Sequence, residues 1–426
     1  MKVAILGYGI EGQSAARYWG AQGHDITICD SNADIALSSE YAAKLGPNYL
    51  KDLDQFDLIV RSQSVNPISF ITTKPVTSIT NEFLNQCPVP IIGVTGTKGK
   101  GTTSSLIAKI LEAAGRKVHL GGNIGTSPLD FLDDIRDGDL VVLEMSSFQL
   151  MGITRSPQVA VMLMIAPDHL DWHADLGEYA QAKANIFKFQ TPDDIAVYNC
   201  SNTESLRLGQ ASRARHLPFN SRSGAWVDDE TVKFKDQSIC ETGDVGLVGP
   251  HNLENICAAV AATWDMTEGN VEAIRTAIKA FKGLEHRLEL AGEVGGVRYY
   301  DDSFSTNPDT AIAAIKAFKE PKVVILGGSD KKADFSRLAE EVKMGKIRQV
   351  ILIGKTGLQI KKALDRAGFK HYQEGPGQMP EIVKLAASVA KAGDVVLLSP
   401  ASASFDLFKN YKDRGDQFQA AVKSLA

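Results

Sequence analysis

The sequence predicts an α/β protein built on doubly wound parallel sheets. Three observations carry that. Short β-branched runs alternate with helical stretches along all 426 residues. Several of those runs are apolar almost throughout, as strands buried on both faces must be. Two glycine-rich loops each follow a strand and open a helix, the joint at which such sheets hold phosphates.

In chain order, "KVAIL", "DITIC", "DLIV", "IIGVTG", "DLVVLEMS", "VAVMLMIA", "VVILGG", "QVILIG" and "DVVLLSP" read as strands. Helical stretches lie between them, among them "TTSSLIAKILEAAG" and "TGLQIKKALDRAG", each closing on a glycine that can take the left-handed C-cap. The repeated βα order calls for parallel sheets. The length exceeds what one core usually supports and suggests two or three domains. Seams fall at "NQCPVP" (85–90) and "KGLEHRLE" (282–289). From about Arg213 to Val248 the chain turns polar and short-stranded, which reads as a small β arm on the middle domain.

Composition narrows the function. Hydrophobic residues make up 44% and charged residues 23%, with a formal net charge of -5. That is an ordinary globular balance and not that of a nucleic-acid binder relying on overall positive charge. The five cysteines form no CxxC pair, so neither a zinc ribbon nor a disulfide framework is expected. No run reaches the roughly 18 apolar residues of a membrane span. "MKVAILGYGIEG" lacks the form of a signal peptide. A cytoplasmic protein without a membrane or nucleic-acid partner is expected.

The first loop, "GYGIEG", places Gly7, Gly9 and Gly12 between a strand and a helix, and Asp30 ends the next strand. That spacing suits a diphosphate at a helix N-terminus, with an acid about 20 residues on. It does not separate NAD from a nucleotide-sugar diphosphate, nor either from a tight turn without ligand.

The second loop, "TGTKGKGTT", follows "IIGV" and opens a long helix. Its backbone N–H groups would face phosphates, and Lys100 would neutralise the outer oxygens. It departs from the pattern G-x-x-x-x-G-K-[ST] at Val94 and Gly101; the spacing is G-x-x-G-K. Thr102 and Thr103 remain to supply a hydroxyl to Mg²⁺.

Further on, "LEMSSFQL" sets Glu144 at the end of an apolar strand, the edge where ligands bind. A carboxylate there suits Mg²⁺, which prefers oxygen ligands, although a solvated strand end reads the same way. "PDHLDWH" brings His169, Asp171 and His173 to that edge, without zinc-ligand spacing, and "EYAQAKANIF" is a helix carrying Lys183.

Together these segments resemble the Mur ligases of the MurD type. The family loop commonly reads T-G-T/S-N-G-K-S/T-T, where this chain has Lys98 for Asn; its K-G-T order resembles the related folylpolyglutamate synthetases. The family also carries E-x-S-S-F-Q-L, D-H-x-D and Y-x-x-A-K, found here at 144–150, 168–171 and 179–183, and "GGNIG" at 121–125. The resemblance implies ATP at Gly96, Thr97, Lys98, Gly99, Lys100, Gly101 and Thr102. It implies Mg²⁺ on Thr102, Glu144, His169 and a Lys183 carbamylated by CO₂, and catalytic roles for Lys100, Glu144, His169 and Lys183. For a UDP substrate it implies Gly9, Ile10, Glu11, Asp30, Asn123, Ser146 and Gln149.

In the C-terminal half, "GPHNLENICAA" resembles the family's H-N-x-x-N helix start and brings Asn252 and Asn255 near ATP; "EHRLE" and "YYDDSFSTNP" bring Arg287 and Asp302 to its phosphate and ribose. "LGGSDKKADF" and "SPASASFDLFKNYKDRG" resemble the glutamate site, with Lys331, Ser404, Phe405 and Tyr411. Two stretches depart from the pattern. Phe304 stands where D-S-K-A-T-N has lysine, and "RSQSVNP" stands where S-P-G-I is usual.

The resemblance therefore implies three domains: a Rossmann-like UDP-binding domain at 1–88, a central ATP-binding P-loop domain with the β arm at 89–283, and a Rossmann-like glutamate-ligase domain at 284–426. The implied activity is an ATP-dependent, ADP-forming amide ligation of peptidoglycan synthesis. It would join UDP-N-acetylmuramoyl-L-alanine to D-glutamate through an acyl phosphate, in a monomer whose third domain closes over the others. Alternatives are the same chemistry with L-glutamate, or a folylpolyglutamate synthetase-like ligase.

Overall fold

Five parallel strands form the first sheet: β1 (Lys2–Leu6), β2 (Asp25–Asp30), β3 (Ala42–Leu45), β4 (Leu58–Arg61) and β5 (Val76–Thr77). Their spatial order is β3-β2-β1-β4-β5. Helices α1 (Ile10–Ala21) and α2 (Ile79–Gln86) accompany it. The computed structural model describes every residue except 170–171, 248, 250, 330–332 and 426.

The second sheet holds β6 (Ile91–Thr95), β7 (Val118–Gly122), β8 (Leu140–Glu144), β9 (Val159–Met162), β10 (Ile195–Tyr198) and β11 (Arg215–His216), in the order β11-β10-β9-β6-β8-β7. All its pairings are parallel. Its helices are α3 (Lys100–Ala113), α4 (Ser147–Leu150), α5 (Leu176–Lys188) and α6 (Thr203–Gln210), followed later by α7 (His251–Thr263) and α8 (Val271–Ala280). Every residue of β6, β8 and β9 is buried, because helices cover both faces.

The expected β arm is a three-stranded antiparallel sheet of β12 (Ala225–Asp228), β13 (Thr231–Phe234) and β14 (Gln237–Glu241). It anchors where Phe234 stacks on Trp264, 4.0 Å between ring centres.

The last sheet holds β15 (Glu289–Val294), β16 (Val297–Asp301), β17 (Lys322–Gly327), β18 (Ile347–Ile353), β19 (Tyr372–Glu374) and β20 (Val395–Leu398), in the order β15-β16-β20-β17-β18-β19. Only β15 runs antiparallel to its neighbour. Helices α9 (Pro308–Lys316), α10 (Ser336–Met344), α11 (Gly357–Ala367), α12 (Met379–Val389) and α13 (Tyr411–Lys423) cover it.

The α/β reading holds, and the strands it named are present. Edge strands β3, β5 and β11 were not expected. They are only two to four residues long, too short for an alternating pattern to mark them.

The chain divides into two compact units, Met1–Gly246 with Pro250–Phe281, and Leu247–Gly249 with Lys282–Ala426. The first two sheets share the first unit because one apolar core runs through both, from Val3 and Trp19 by way of Phe83 and Phe131 to Met162 and Tyr198. Among the described residues no helix is long and apolar enough to cross a membrane. The five cysteines are free thiols.

Candidate active site

In the first unit, β1 hands over to α1 through the turn at residues 7–9. A β-carbon on Gly12 would lie 2.0 Å from the Gly7 carbonyl oxygen, so the helix approaches its own turn closer than a side chain allows. Asp30, at the end of β2, accepts a 2.7 Å hydrogen bond from the Tyr8 N–H and so binds to the turn itself. Ile10 stands 78% exposed beside it.

Glu11 points toward the second sheet. Its Oε2 accepts from the Gln63 N–H at 2.9 Å, and its Oε1 accepts from Gln149 Nε2 at 2.8 Å. Ser146 donates to Gln63 Oε1 at 3.0 Å. Ser146 and Gln149 also cap α4 reciprocally through a capping box. The structure thus gathers Glu11, Ser146 and Gln149 into one network, and adds Gln63 from the departing "RSQSVNP" segment.

Arg61, which sequence reasoning missed, is buried beneath that network. It donates to the carbonyls of Ser62, Val65, Phe148 and Met151, with the last two at 3.0 Å. Burial holds its pKa below the usual arginine range. An arginine at a strand end ordinarily reads as solvated, so no local signal marked it.

The second glycine loop leaves the buried strand β6. Gly99 caps α3 at φ +87°, a left-handed conformation that glycine adopts without strain. The loop is tied down by Thr97, whose N–H donates to Met164 O at 2.8 Å and whose Oγ1 donates to Ala166 O at 3.1 Å. Tyr179 places its hydroxyl 3.2 Å from Thr97 Oγ1. Lys98 is exposed and Gly101 is buried in the first helical turn. Lys100 Nζ donates to the Gly96 and Thr97 carbonyls, both at 3.2 Å. Thr102 and Thr103 are buried, and Thr103 donates to Asn255 Oδ1 at 3.3 Å. Asn252 accepts from Asn255 Nδ2 at 3.0 Å, and Asn255 itself lies against Gly99 of the loop.

Lys183 is 1% exposed. Its Nζ donates to the Gly96 carbonyl at 2.9 Å and lies 4.7 Å from the Tyr179 ring centre. Burial, and after it the Lys100 cation, hold its pKa well below the usual lysine range; Asp168 and Glu144 oppose them. Glu144 ends β8, is 6% exposed, and accepts from Asn123 Nδ2 at 2.8 Å. Lys100, Lys183, Glu144 and Asn123 therefore meet at the C-terminal edge of one parallel sheet.

His169 sits at φ +54° with its ring edge-on to Phe148 at 5.0 Å, and its Nε2 lies 3.7 Å from Asp168 Oδ2. His173 is fully buried, 3.1 Å from Ser147 Oγ, and stacked on Phe148; burial holds its pKa below the ordinary histidine value. It fastens the loop that carries His169 to α4. Asp171 and Lys331, both marked by the sequence, lie outside the described residues.

In the second unit, Asp302 is buried. It accepts from Ser399 Oγ at 2.7 Å, from Ser305 Oγ, and from the Leu288 N–H at 3.3 Å. Burial pushes its carboxyl up to about 7, against those hydrogen bonds and the Arg287 charge. Arg287 lies between two left-handed residues, His286 at φ +60° and Leu288 at φ +48°. Ser404 is buried, while Phe405 stands 73% exposed. Tyr411 opens α13 and accepts at its carbonyl from Ser303 Oγ at 2.7 Å. Arg414, also missed, is fully buried and joins Ser303 Oγ at 2.9 Å to the Ser402 carbonyl at 3.1 Å; burial lowers its pKa to about 10.

The chain matches two family models, "Mur ligase middle domain" over residues 94–263 and "Mur ligase, glutamate ligase domain" over 286–402. It is 36% identical over 446 residues to the UDP-N-acetylmuramoylalanine--D-glutamate ligase of Clostridium kluyveri, covering 100% of this chain and 97% of that one. To the protein of the same name from Acetivibrio thermocellus it is 37% identical over 455 residues, covering 100% and 96%. A crystal structure of a MurF ligase from Thermotoga maritima in complex with ADP superposes with a TM-score of 0.61 at 19% identity, covering 100% of this chain and 95% of that one, a likeness of fold alone. With both domain models matched and full-length relatives above a third identical, the chain belongs to the Mur ligase family, of the type named UDP-N-acetylmuramoylalanine--D-glutamate ligase.

Proposed function

We propose that this protein joins D-glutamate to UDP-N-acetylmuramoyl-L-alanine with ATP, a step of peptidoglycan synthesis. The observation that carries the reading is the meeting of the glycine loop with a buried lysine, Lys183 Nζ against the Gly96 carbonyl at 2.9 Å. The full-length likeness to the D-glutamate ligases supports the same substrates, and only the K-G-T order at 100–102 points to the folylpolyglutamate alternative.

The residues fit ATP. The start of α3 follows a glycine loop and has no side-chain cap, which leaves its first N–H groups for phosphate oxygens, and Lys100 is its first residue. Asn255 of α7 lies against the loop, with Asn252 hydrogen-bonded to it. The domain division proposed is 1–88, 89–283 and 284–426, with Gly9, Ile10, Glu11, Asp30, Asn123, Ser146 and Gln149 serving the UDP substrate.

The donor set also fits Mg²⁺. Glu144 supplies a buried carboxylate, Thr102 a hydroxyl on the turn where Thr103 is taken by Asn255, and His169 an imidazole. When bound, the ion would offset charge on the transferred phosphoryl group. Burial disfavours the charged form of Lys183, and the uncharged amine is the form that attacks CO₂. Its nitrogen would bond to the carbon with loss of a proton, and the resulting carbamate would offer the ion an oxygen donor as a fourth ligand.

The chemistry requires no side-chain nucleophile. The alanine carboxylate of the substrate attacks the γ-phosphorus, ADP leaves, and an acyl phosphate forms. Lys100 and Arg287 are the cations proposed to offset the developing charge. The glutamate amine then attacks the acyl carbon, phosphate leaves, and the amine loses a proton. Lys331, Ser404, Phe405 and Tyr411 are the proposed glutamate site, and Asp302 the proposed ribose side of ATP. The chain is proposed to act as a cytoplasmic monomer.

The test is phosphate release from ATP with UDP-N-acetylmuramoyl-L-alanine, comparing D-glutamate, L-glutamate and no amino acid, with product mass confirmed. Turnover with D-glutamate alone is expected. Turnover with L-glutamate alone would overturn the assigned chirality, and turnover with neither would overturn the substrate.

A further inference from the structure

We propose that Phe304 is a positioning residue for Arg287, holding the guanidinium against the face of its ring. The inference rests on reading Arg287 as a cation at the transferred phosphate. The Arg287 guanidinium carbon lies 5.6 Å from the Phe304 ring centre, within the range of a cation–π contact. Tyr411 stands edge-on to the same ring, 5.1 Å away at 89°. Phe304 is 45% exposed and Tyr411 39%, so neither ring is there to fill a core.

The surrounding backbone makes this shelf rigid. The Phe304 N–H donates to the His286 carbonyl at 2.9 Å, and the Leu288 N–H donates to Asp302 Oδ1 at 3.3 Å. The chain on both sides of Arg287 is thereby fastened to the 302–304 loop. Ser303, beside Phe304, donates to the Tyr411 carbonyl at 2.7 Å and accepts from buried Arg414 at 2.9 Å. Both rings therefore have fixed roots. The side chain of Arg287 is long and flexible, and the Phe304 ring selects among its rotamers. A guanidinium already in place loses less freedom when the phosphate arrives.

The rival role for Phe304 is a wall of the amine site, and the two steps of the reaction separate the two. Formation of the acyl phosphate needs ATP and UDP-N-acetylmuramoyl-L-alanine but no amino acid. It is read as ADP release in a single turnover of the full-length protein. Phe304→Leu is expected to slow that step by about two- to fivefold, the reach of a partly exposed cation–π contact. The KM for D-glutamate should stay unchanged. Phe304→Tyr should restore the rate, and Phe304→Lys should slow it further by setting a second cation beside the first. Adding Phe304→Leu to Arg287→Ala should cost nothing more, because the ring acts only through the guanidinium. An unchanged first step in Phe304→Leu, or a rise in the KM for D-glutamate alone, would overturn the proposal. An unchanged first step in Arg287→Ala would overturn the underlying reading of Arg287 as well.

Discussion

Asn255 Oδ1 lies 2.3 Å from where a β-carbon on Gly99 would stand. The asparagine of α7 thus closes over the glycine that caps α3, two segments more than 150 residues apart in the sequence. Gly99→Ala meets both the clash and a left-handed backbone at φ +87°. It is expected to cost about 1–3 kcal/mol in stability and to raise the KM for ATP. Thermal melts and ATP saturation curves check both.

Lys100→Ala removes the loop cation. A fall of about 10²–10³ in kcat is expected, as when one preorganised charge-stabilising group is lost. The melting temperature should change little. A Lys100→Ala protein that retains full turnover would remove the loop from the mechanism.

Lys183 gives a pH-dependent prediction. Its pKa is depressed in the folded state, so the unfolded chain binds the extra proton. The lysine therefore costs stability at neutral pH, and stability rises as pH climbs from the depressed folded value toward the ordinary lysine value of about 10.4. Lys183→Met should abolish ligation yet melt higher than the parent at neutral pH, with the gain shrinking toward alkaline pH. A bicarbonate-dependent mass increment on Lys183 in the parent, absent from the variant, checks the carbamate.

Asp302 works in the opposite sense. Its folded pKa is raised to about 7, so the folded state holds the proton more tightly. The stabilisation is fully present below the unfolded value of about 3.9 and is lost as pH rises through about 7. Asp302→Asn should flatten that part of the pH–stability profile, measured by denaturant titration at pH 5 and pH 8.

Arg61 donates to four backbone carbonyls, so Arg61→Leu strands several acceptors at once. A loss of about 3 kcal/mol or more is expected. Because Phe148 and Met151 flank Gln149, the KM for the UDP substrate should rise as well.

Much of the fold was legible because its signals are local. A buried parallel strand announces itself by composition, and a strand, glycine loop and helix in sequence need no distant partner. Short edge strands such as β3 carry no such mark. At the site, Glu144 and Lys183 could be named from their segments, but not their pairing with Asn123 and with the Gly96 carbonyl.

The sequence by itself determined the order of the glycine loops, the strand ends that present the acid and histidine, and the identity of the family. Those follow from short-range periodicity and from contiguous motifs. Only the tertiary structure decided that burial depresses the Lys183 pKa, that burial raises the Asp302 carboxyl to about 7, that Thr103 is taken by Asn255 and that Phe304 faces Arg287. Each depends on desolvation or on a partner brought in from elsewhere in the chain. Burial and electrostatics are properties of the packed surroundings, which no single stretch of sequence contains.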